Sequence, residues 1–217
     1  MNGEYLSLDR VSFGYDQARP VLDGINLNLG AGERVGLTGA NGSGKTTLLH
    51  LLVGLRKVTS GTIACFGAVR NSESDFREVR KRVGLLFQDS DDQLFCPTVA
   101  EDVMFGPLNL GKRNGDARRV ATDTLNQVGL VGYEDRVTYR LSGGEKRLVA
   151  LATVLAMRPD VLLLDEPLTG LDDEHETRIA EILLGLPQAM LIVSHNRAFL
   201  DRVAHRTQVL RGGVLET

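Results

Sequence analysis

The chain has 217 residues, of which 24% are charged and 42% hydrophobic, and a formal net charge of −3. That length suits one large α/β domain or two modest ones, and the charge gives no global reason to expect nucleic acid as a partner. Met1-Asn2-Gly3-Glu4-Tyr5 lacks the basic and then apolar pattern of a leader, no apolar run approaches the roughly 20 residues that a membrane helix needs, and two cysteines are too few for a zinc site.

Tyr5 to Phe13 and Val21 to Leu29 alternate apolar and polar residues, which predicts two antiparallel strands. Between them Tyr15 sits in a Gly-Tyr-Asp turn, where an exposed ring could stack on a flat base or simply end a strand. Arg34 to Thr38 then reads as a buried strand and Thr46 to Val53 as a helix.

Gly39-Ala40-Asn41-Gly42-Ser43-Gly44-Lys45-Thr46-Thr47 stands between these two elements. It fits the phosphate-binding pattern GxxxxGK(S/T) in the strand-loop-helix setting that the pattern requires. Glycines at 39, 42 and 44 free the backbone to aim successive N–H groups at phosphate oxygens. Lys45 adds charge toward the β- and γ-phosphates, and Thr46 offers a hydroxyl to Mg²⁺.

Further along, Gly61 to Gly67 predicts a strand holding Cys65, a charged helix follows near Asp75 to Arg82, and Val83 to Phe87 reads as a buried strand ending at Gln88. From Asp89 to about Met157 the pattern turns helical. Thr98 caps a short helix from Val99 to Phe105, with Glu101 completing a capping box and Gly106-Pro107 stopping it. A polar loop around Gly111 to Gly115 leads to a second helix over roughly Ala117 to Val128.

Leu141-Ser142-Gly143-Gly144-Glu145 opens a third helix, in which Leu148, Leu151, Ala152 and Leu155 place one face in the core. Its bare N-terminus is a second candidate phosphate contact. The strand Val161 to Leu164 ends in Asp165-Glu166-Pro167, where one carboxylate could hold a metal and the other polarise an attacking water. A helix from Asp173 to Leu184, a strand from Ala189 to Val193, His195 just past its end, and a hairpin around Gly212-Gly213 complete the chain.

Taken together, Gly39 to Thr47, Gln88, Leu141 to Glu145, Val161 to Glu166, Gly170-Leu171-Asp172 and His195 resemble, in order, the motif set of an ABC-transporter ATPase subunit. The resemblance implies an α/β fold: a P-loop NTPase core with a mostly parallel sheet, an N-terminal antiparallel β part, and an inserted helical subdomain. In one domain spanning 1–217, residues 1–88 and 158–217 would form the core and 89–157 the signature subdomain. It assigns ATP and Mg²⁺ as ligands, Tyr15 to adenine, and Lys45 to phosphate. Thr46, Gln88 and Asp165 go to Mg²⁺ and its waters, Glu166 becomes the general base, and His195 the γ-phosphate contact. Ser142 and Gly144 would reach the γ-phosphate of a partner chain, with Asp172 at the dimer seam. Since Lys45, Glu166, His195 and Ser142 are all present, the family's head-to-tail pairing is expected to be a homodimer.

Gln88-Asp89-Ser90-Asp91-Asp92-Gln93-Leu94-Phe95, continuing to Phe105-Gly106-Pro107-Leu108-Asn109, is similar to energy-coupling-factor importers, above all their cobalt-transport members. That implies docking near Asp89 to Phe105 on integral membrane subunits, from the cytoplasmic face, and uptake of a divalent metal such as cobalt or nickel. A vitamin such as biotin is the alternative cargo, and a soluble, non-transport ABC ATPase the alternative class. Leu168-Thr169 and Leu148 depart from residues common in the family, without removing a nucleotide ligand.

Overall fold

The computed structural model describes residues 3–16 and 20–216; Met1 and Asn2, on which the leader reading partly rests, lie outside them. Two compact units are present. The first comprises 1–85, 160–165 and 187–217, and the second 86–159 and 166–186.

The first unit holds two sheets. In one, β1 (Glu4–Phe13) pairs antiparallel with β2 (Leu22–Gly30) and β4 (Ser60–Cys65), and the two-residue β5 (Ala68–Val69) closes the order β2-β1-β4-β5. Leu6 and Leu8 are buried on even positions, but Val11 and Phe13 on odd ones. A bulge accounts for the switch. Leu8 pairs with Leu27 and Val11 with Ile25, so β1 carries one extra residue there, and Arg10 takes φ 47.

The other sheet has the order β10-β9-β3-β8-β7-β6, with β3 (Arg34–Thr38), β6 (Val83–Leu86), β7 (Val161–Asp165), β8 (Ala189–Val193), β9 (Arg206–Arg211) and β10 (Val214–Glu216). β3 runs parallel to β8 and β9, and β7 parallel to β8. Every residue of β7 and β8 is buried, as continuous apolar runs in a parallel sheet require. α1 (Lys45–Leu52), α2 (Glu73–Val79) and α7 (Arg197–Val203) complete this unit. α7 had no apolar periodicity long enough to announce it; Asn196 caps it, accepting from the Phe199 N–H.

The second unit is helical: α3 (Val99–Asn109), α4 (Asn114–Gln127), α5 (Gly143–Leu155), α6 (Asp173–Gly185), and short 3-10 turns at Ser90–Asp92 and Thr138–Arg140. Three expectations are corrected here. α3 runs through Gly106-Pro107, the ring costing one backbone bond while Leu110 N–H still reaches Gly106 O at 3.0 Å. Pro107 is buried and Gly106 lies against Met157, so packing outweighs the lost bond. α4 begins at Asn114 rather than after Gly115, with Asp116 in its first turn offsetting the exposed N–H groups. α5 buries Arg147, Val149, Ala150 and Val154 as well as its expected stripe, so more than one of its faces is core.

Candidate functional site

The loop from Gly39 to Gly44 joins β3 to α1 and is built tightly against its surroundings. A Cβ at Gly39 would lie 2.4 Å from Leu210 O and 2.8 Å from Ser43 Oγ, while Gly44, at φ 104, has Leu22 at 2.9 Å. No side chain fits either place. Lys45 is buried, and its ammonium folds back to donate to Gly39 O at 2.8 Å and Ala40 O at 3.1 Å. The charge is thereby held over the loop.

Ser43 Oγ is buried with no hydrogen-bond partner, and Gly44 caps α1 with no side-chain bond, so the first N–H groups of the helix keep their donors. An anionic, oxygen-rich ligand is what such donors suit. A cavity of about 750 Å³ opens here, lined by the loop from Gly39 to Ser43 together with His195, Arg197 and the Gly212-Gly213 turn. It is large enough for a nucleotide. The structure therefore brings the loop and the late histidine to one place; Asn41, Gly42, Thr46 and His195 are exposed, and Thr47 is buried.

Register explains how Asp165 joins them. Leu37 pairs with Val193 and Val193 with Asp165, so the ends of β3, β8 and β7 form one row. Two strand spacings, about 9–10 Å, separate Asp165 from the strand that feeds the loop. Asp165 is buried. The described residues hold no group of three or more His, Cys, Asp or Glu side chains placed to cage a metal. Mg²⁺ needs none, being held by one or two protein oxygens plus substrate phosphates, and the Thr46 hydroxyl and Asp165 carboxylate are donors of that kind. In α1, burial pushes the His50 imidazole down, against the opposing pull of the Asp165 carboxylate.

Tyr15 is 62% exposed, yet its ring is tethered. The hydroxyl lies 3.1 Å from Thr47 Oγ1, Phe13 meets the ring edge-on at 5.0 Å, and Arg56 sits 5.4 Å from its centroid.

In the second unit Ser142 is the N-cap of α5: its Oγ accepts from Glu145 N–H at 3.2 Å, and Glu145 Oε2 accepts from Ser142 N–H at 2.8 Å. The Ser-x-x-Glu spacing was the available signal for this box. With its oxygen engaged as an acceptor, the Ser142 hydroxyl still has a proton to donate. Glu145 also accepts from the Tyr133 hydroxyl at 2.7 Å, which does most to hold its carboxyl below the usual range, ahead of the Ser142 backbone. Ser142 and Gly143 are exposed, whereas Gly144 faces the ring of His175. Asp172 caps α6, accepting from His175 N–H at 2.9 Å and lying 2.7 Å from its Nδ1. The N–H contact leads in lowering the Asp172 carboxyl.

Gln88 is exposed just past β6, and Glu166, the residue after Asp165, is buried with φ 46. Sequence reasoning missed Arg147, a buried cation bound to the backbone of both stretches. In the stretch from Asp89 to Phe105, Asp89 caps the Ser90–Asp92 turn and Asp91 pairs with Lys146 at 2.6 Å. Phe95 and Phe105, 64% and 48% exposed, stack edge-to-face at 4.9 Å. The two rings leave apolar surface open to solvent.

The chain matches the family model described as ABC transporter over residues 22–169. It is 53% identical over 210 residues to an ABC transporter ATP-binding protein by name from Brucella suis, covering 97% of this chain and 87% of the relative. The energy-coupling factor transporter ATP-binding protein EcfA of Methanothermobacter thermautotrophicus is 42% identical, over 97% of this chain and 69% of its own. Among solved structures, cbiO1 from Clostridium perfringens, titled as part of the ABC transporter complex cbiONQ, superposes with a TM-score of 0.89 at 32% identity, covering 99% of this chain and 88% of that one. By the family model and by relatives matched along nearly its whole length, the chain belongs to the ABC transporter family, as an ATPase subunit that couples ATP hydrolysis to transport.

Proposed function

We propose that this chain is the ATPase of an energy-coupling-factor type importer, acting as a homodimer on the cytoplasmic face of the membrane and powering uptake of a divalent metal ion, cobalt or nickel. The observation that carries the nucleotide part is the 750 Å³ cavity, which gathers Gly39 to Ser43 and His195. Likeness to EcfA and cbiO1 supports the importer part. No described helix is long and apolar enough to cross a membrane, so membrane subunits would supply the path. The exposed Phe95 and Phe105 are the surface on which those subunits would dock.

In this reading Tyr15 stacks on adenine, and the loop N–H groups and Lys45 hold the phosphates. Thr46, Gln88 and Asp165 serve Mg²⁺, which when bound neutralises charge building on the transferring phosphoryl group. Glu166 takes the proton of the attacking water, and His195 donates toward the γ-phosphate. Ser142, Gly143 and Gly144 complete the site of a second copy, with Asp172 at the seam. One loop and one signature per chain make two sites per pair.

The test is Glu166→Gln with ATP and Mg²⁺. The expected result is retained ATP, turnover down by about 10²–10⁴-fold, and a dimer on gel filtration. Wild-type-like turnover overturns the assignment of the base, and a monomer overturns the homodimer. In the complex purified with its membrane subunits, uptake of biotin in place of cobalt or nickel would move the cargo to the vitamin alternative.

A further inference from the structure

Arg147 stands in the second turn of α5 and is only 2% exposed. Its guanidinium donates to four backbone carbonyls: Nε to Pro167 O at 2.9 Å, Nη2 to Glu166 O at 2.8 Å, and Nη1 to Gln88 O at 3.1 Å and to Phe87 O. A buried cation loses its hydration at a high cost unless its donors are met. Here a rigid planar fork spreads its bonds over two separate stretches of backbone, which a lysine's point charge cannot do.

Both stretches carry side chains of the proposed reaction. Glu166 sits at φ 46, a left-handed conformation unfavourable to a residue with a side chain. Such a backbone persists only where its surroundings fix it. The Glu166 carbonyl is fixed twice, by Arg147 and by the Thr169 N–H at 3.2 Å. On its other edge the same guanidinium holds the carbonyl of Gln88. Arg147 belongs to the helix that Ser142 begins, so one side chain ties the signature helix to both stretches.

We infer that Arg147 is a positioning residue for hydrolysis: it sets the backbones of Glu166 and Gln88 against α5 and so aims their side chains, without touching nucleotide. The inference rests on the roles proposed above for Glu166 and Gln88. It places the effect of Arg147 on the chemical step and not on ATP affinity, because the phosphate-binding loop makes none of these contacts.

The experiment compares Arg147→Lys, Arg147→Gln, Glu166→Gln and the double variant Arg147→Lys/Glu166→Gln in the full chain, by ATP affinity, single-turnover rate and far-UV circular dichroism. Displacing a reacting group by an ångström can cost on the order of 10²-fold. Arg147→Lys is accordingly expected to lower the rate by about 10–100-fold, and Arg147→Gln by at least as much, with ATP affinity within about twofold. In the Glu166→Gln background the further loss should be smaller by at least about threefold, leaving only the part that Arg147 exerts through Gln88, since the Glu166 side chain is already disabled. A wild-type rate in Arg147→Lys, or affinity falling as far as the rate, overturns the inference; an equal loss in both backgrounds overturns the link to Glu166. Full turnover in Glu166→Gln alone overturns the underlying role of that residue instead, and leaves the Arg147 single variants readable. Should Arg147→Gln fail to fold, Arg147→Lys decides.

Discussion

Glu145 offers the sharpest test of how the start of the signature helix is held. Its carboxylate receives the Tyr133 hydroxyl at 2.7 Å, the Ser142 N–H at 2.8 Å and Arg136 Nη1 at 3.2 Å, with 23% of the side chain exposed. Hydrogen bonds to a charged group contribute roughly 1.5–3 kcal/mol each, but shared partners and partial exposure hold the loss in Glu145→Ala to about 2–3 kcal/mol. Glu145→Gln turns an amide N–H toward either the Ser142 N–H or Arg136, so about 1–2 kcal/mol should go there too. The carboxyl is lowered from 4.5, so its stabilisation is fully present above that value and is lost as pH falls through the lower folded one. Urea unfolding followed by circular dichroism from pH 7 down through 4.5 to about pH 3, the side on which linkage places the loss, should show the gap between wild type and Glu145→Gln constant at first and closing at the acid end. Glu145→Ala should turn ATP over several-fold more slowly, because Ser142 then loses half of its capping box. A gap that is absent at neutral pH, or that stays constant down to the acid end, would refute the reasoning.

Asp102 is 2% exposed and accepts from Phe95 N–H at 3.0 Å, Cys96 N–H at 2.9 Å and the Thr138 hydroxyl at 3.1 Å. Asp102→Ala strands three donors and should cost about 3–4 kcal/mol, Asp102→Asn about 1 kcal/mol, and a loss below about 1 kcal/mol in the alanine variant would contradict this. Both thiols are pushed up to about 11, Cys65 by burial and Cys96 by burial and the Asp102 carboxylate. At pH 8 roughly 0.1% of each is thiolate, so iodoacetamide should label the folded chain slowly and the urea-unfolded chain fast. Asp102→Asn should quicken labelling at Cys96 alone; equal quickening at Cys65 would indicate general loosening.

What the sequence disclosed follows from the range of the interactions. The loop at Gly39 to Thr47, the strand end at Asp165 and the Ser142 helix start are contiguous patterns, so local periodicity and spacing sufficed to find them. By local pattern His195 read as a residue past a strand end, and its γ-phosphate role came from the family resemblance; strand register puts it beside the loop, and register is a long-range property. Arg147 escaped because a charged residue in a helix reads as solvated, while its carbonyl partners lie far away in the chain. Its one local trace is position: Arg147, Leu151 and Val154 fall at i, i+4 and i+7 on a second buried stripe. Pro107 misled in the opposite sense, because a local rule about helix ends gave way to tertiary packing.

The contact between Gly144 and His175 bears on which substitutions the chain can accept. A Cβ at Gly144 would lie 2.4 Å from His175 Cδ2, although the backbone of Gly144 is not among the left-handed ones. What an added Cβ meets is a neighbouring ring that would have to shift, while the torsions of Gly144 are open to other residues. Positions 144 and 175 form a compensating pair, in which a smaller residue at 175 opens room for alanine at 144. Selection for suppressors of Gly144→Ala should recover changes at His175, on a different helix from the lesion.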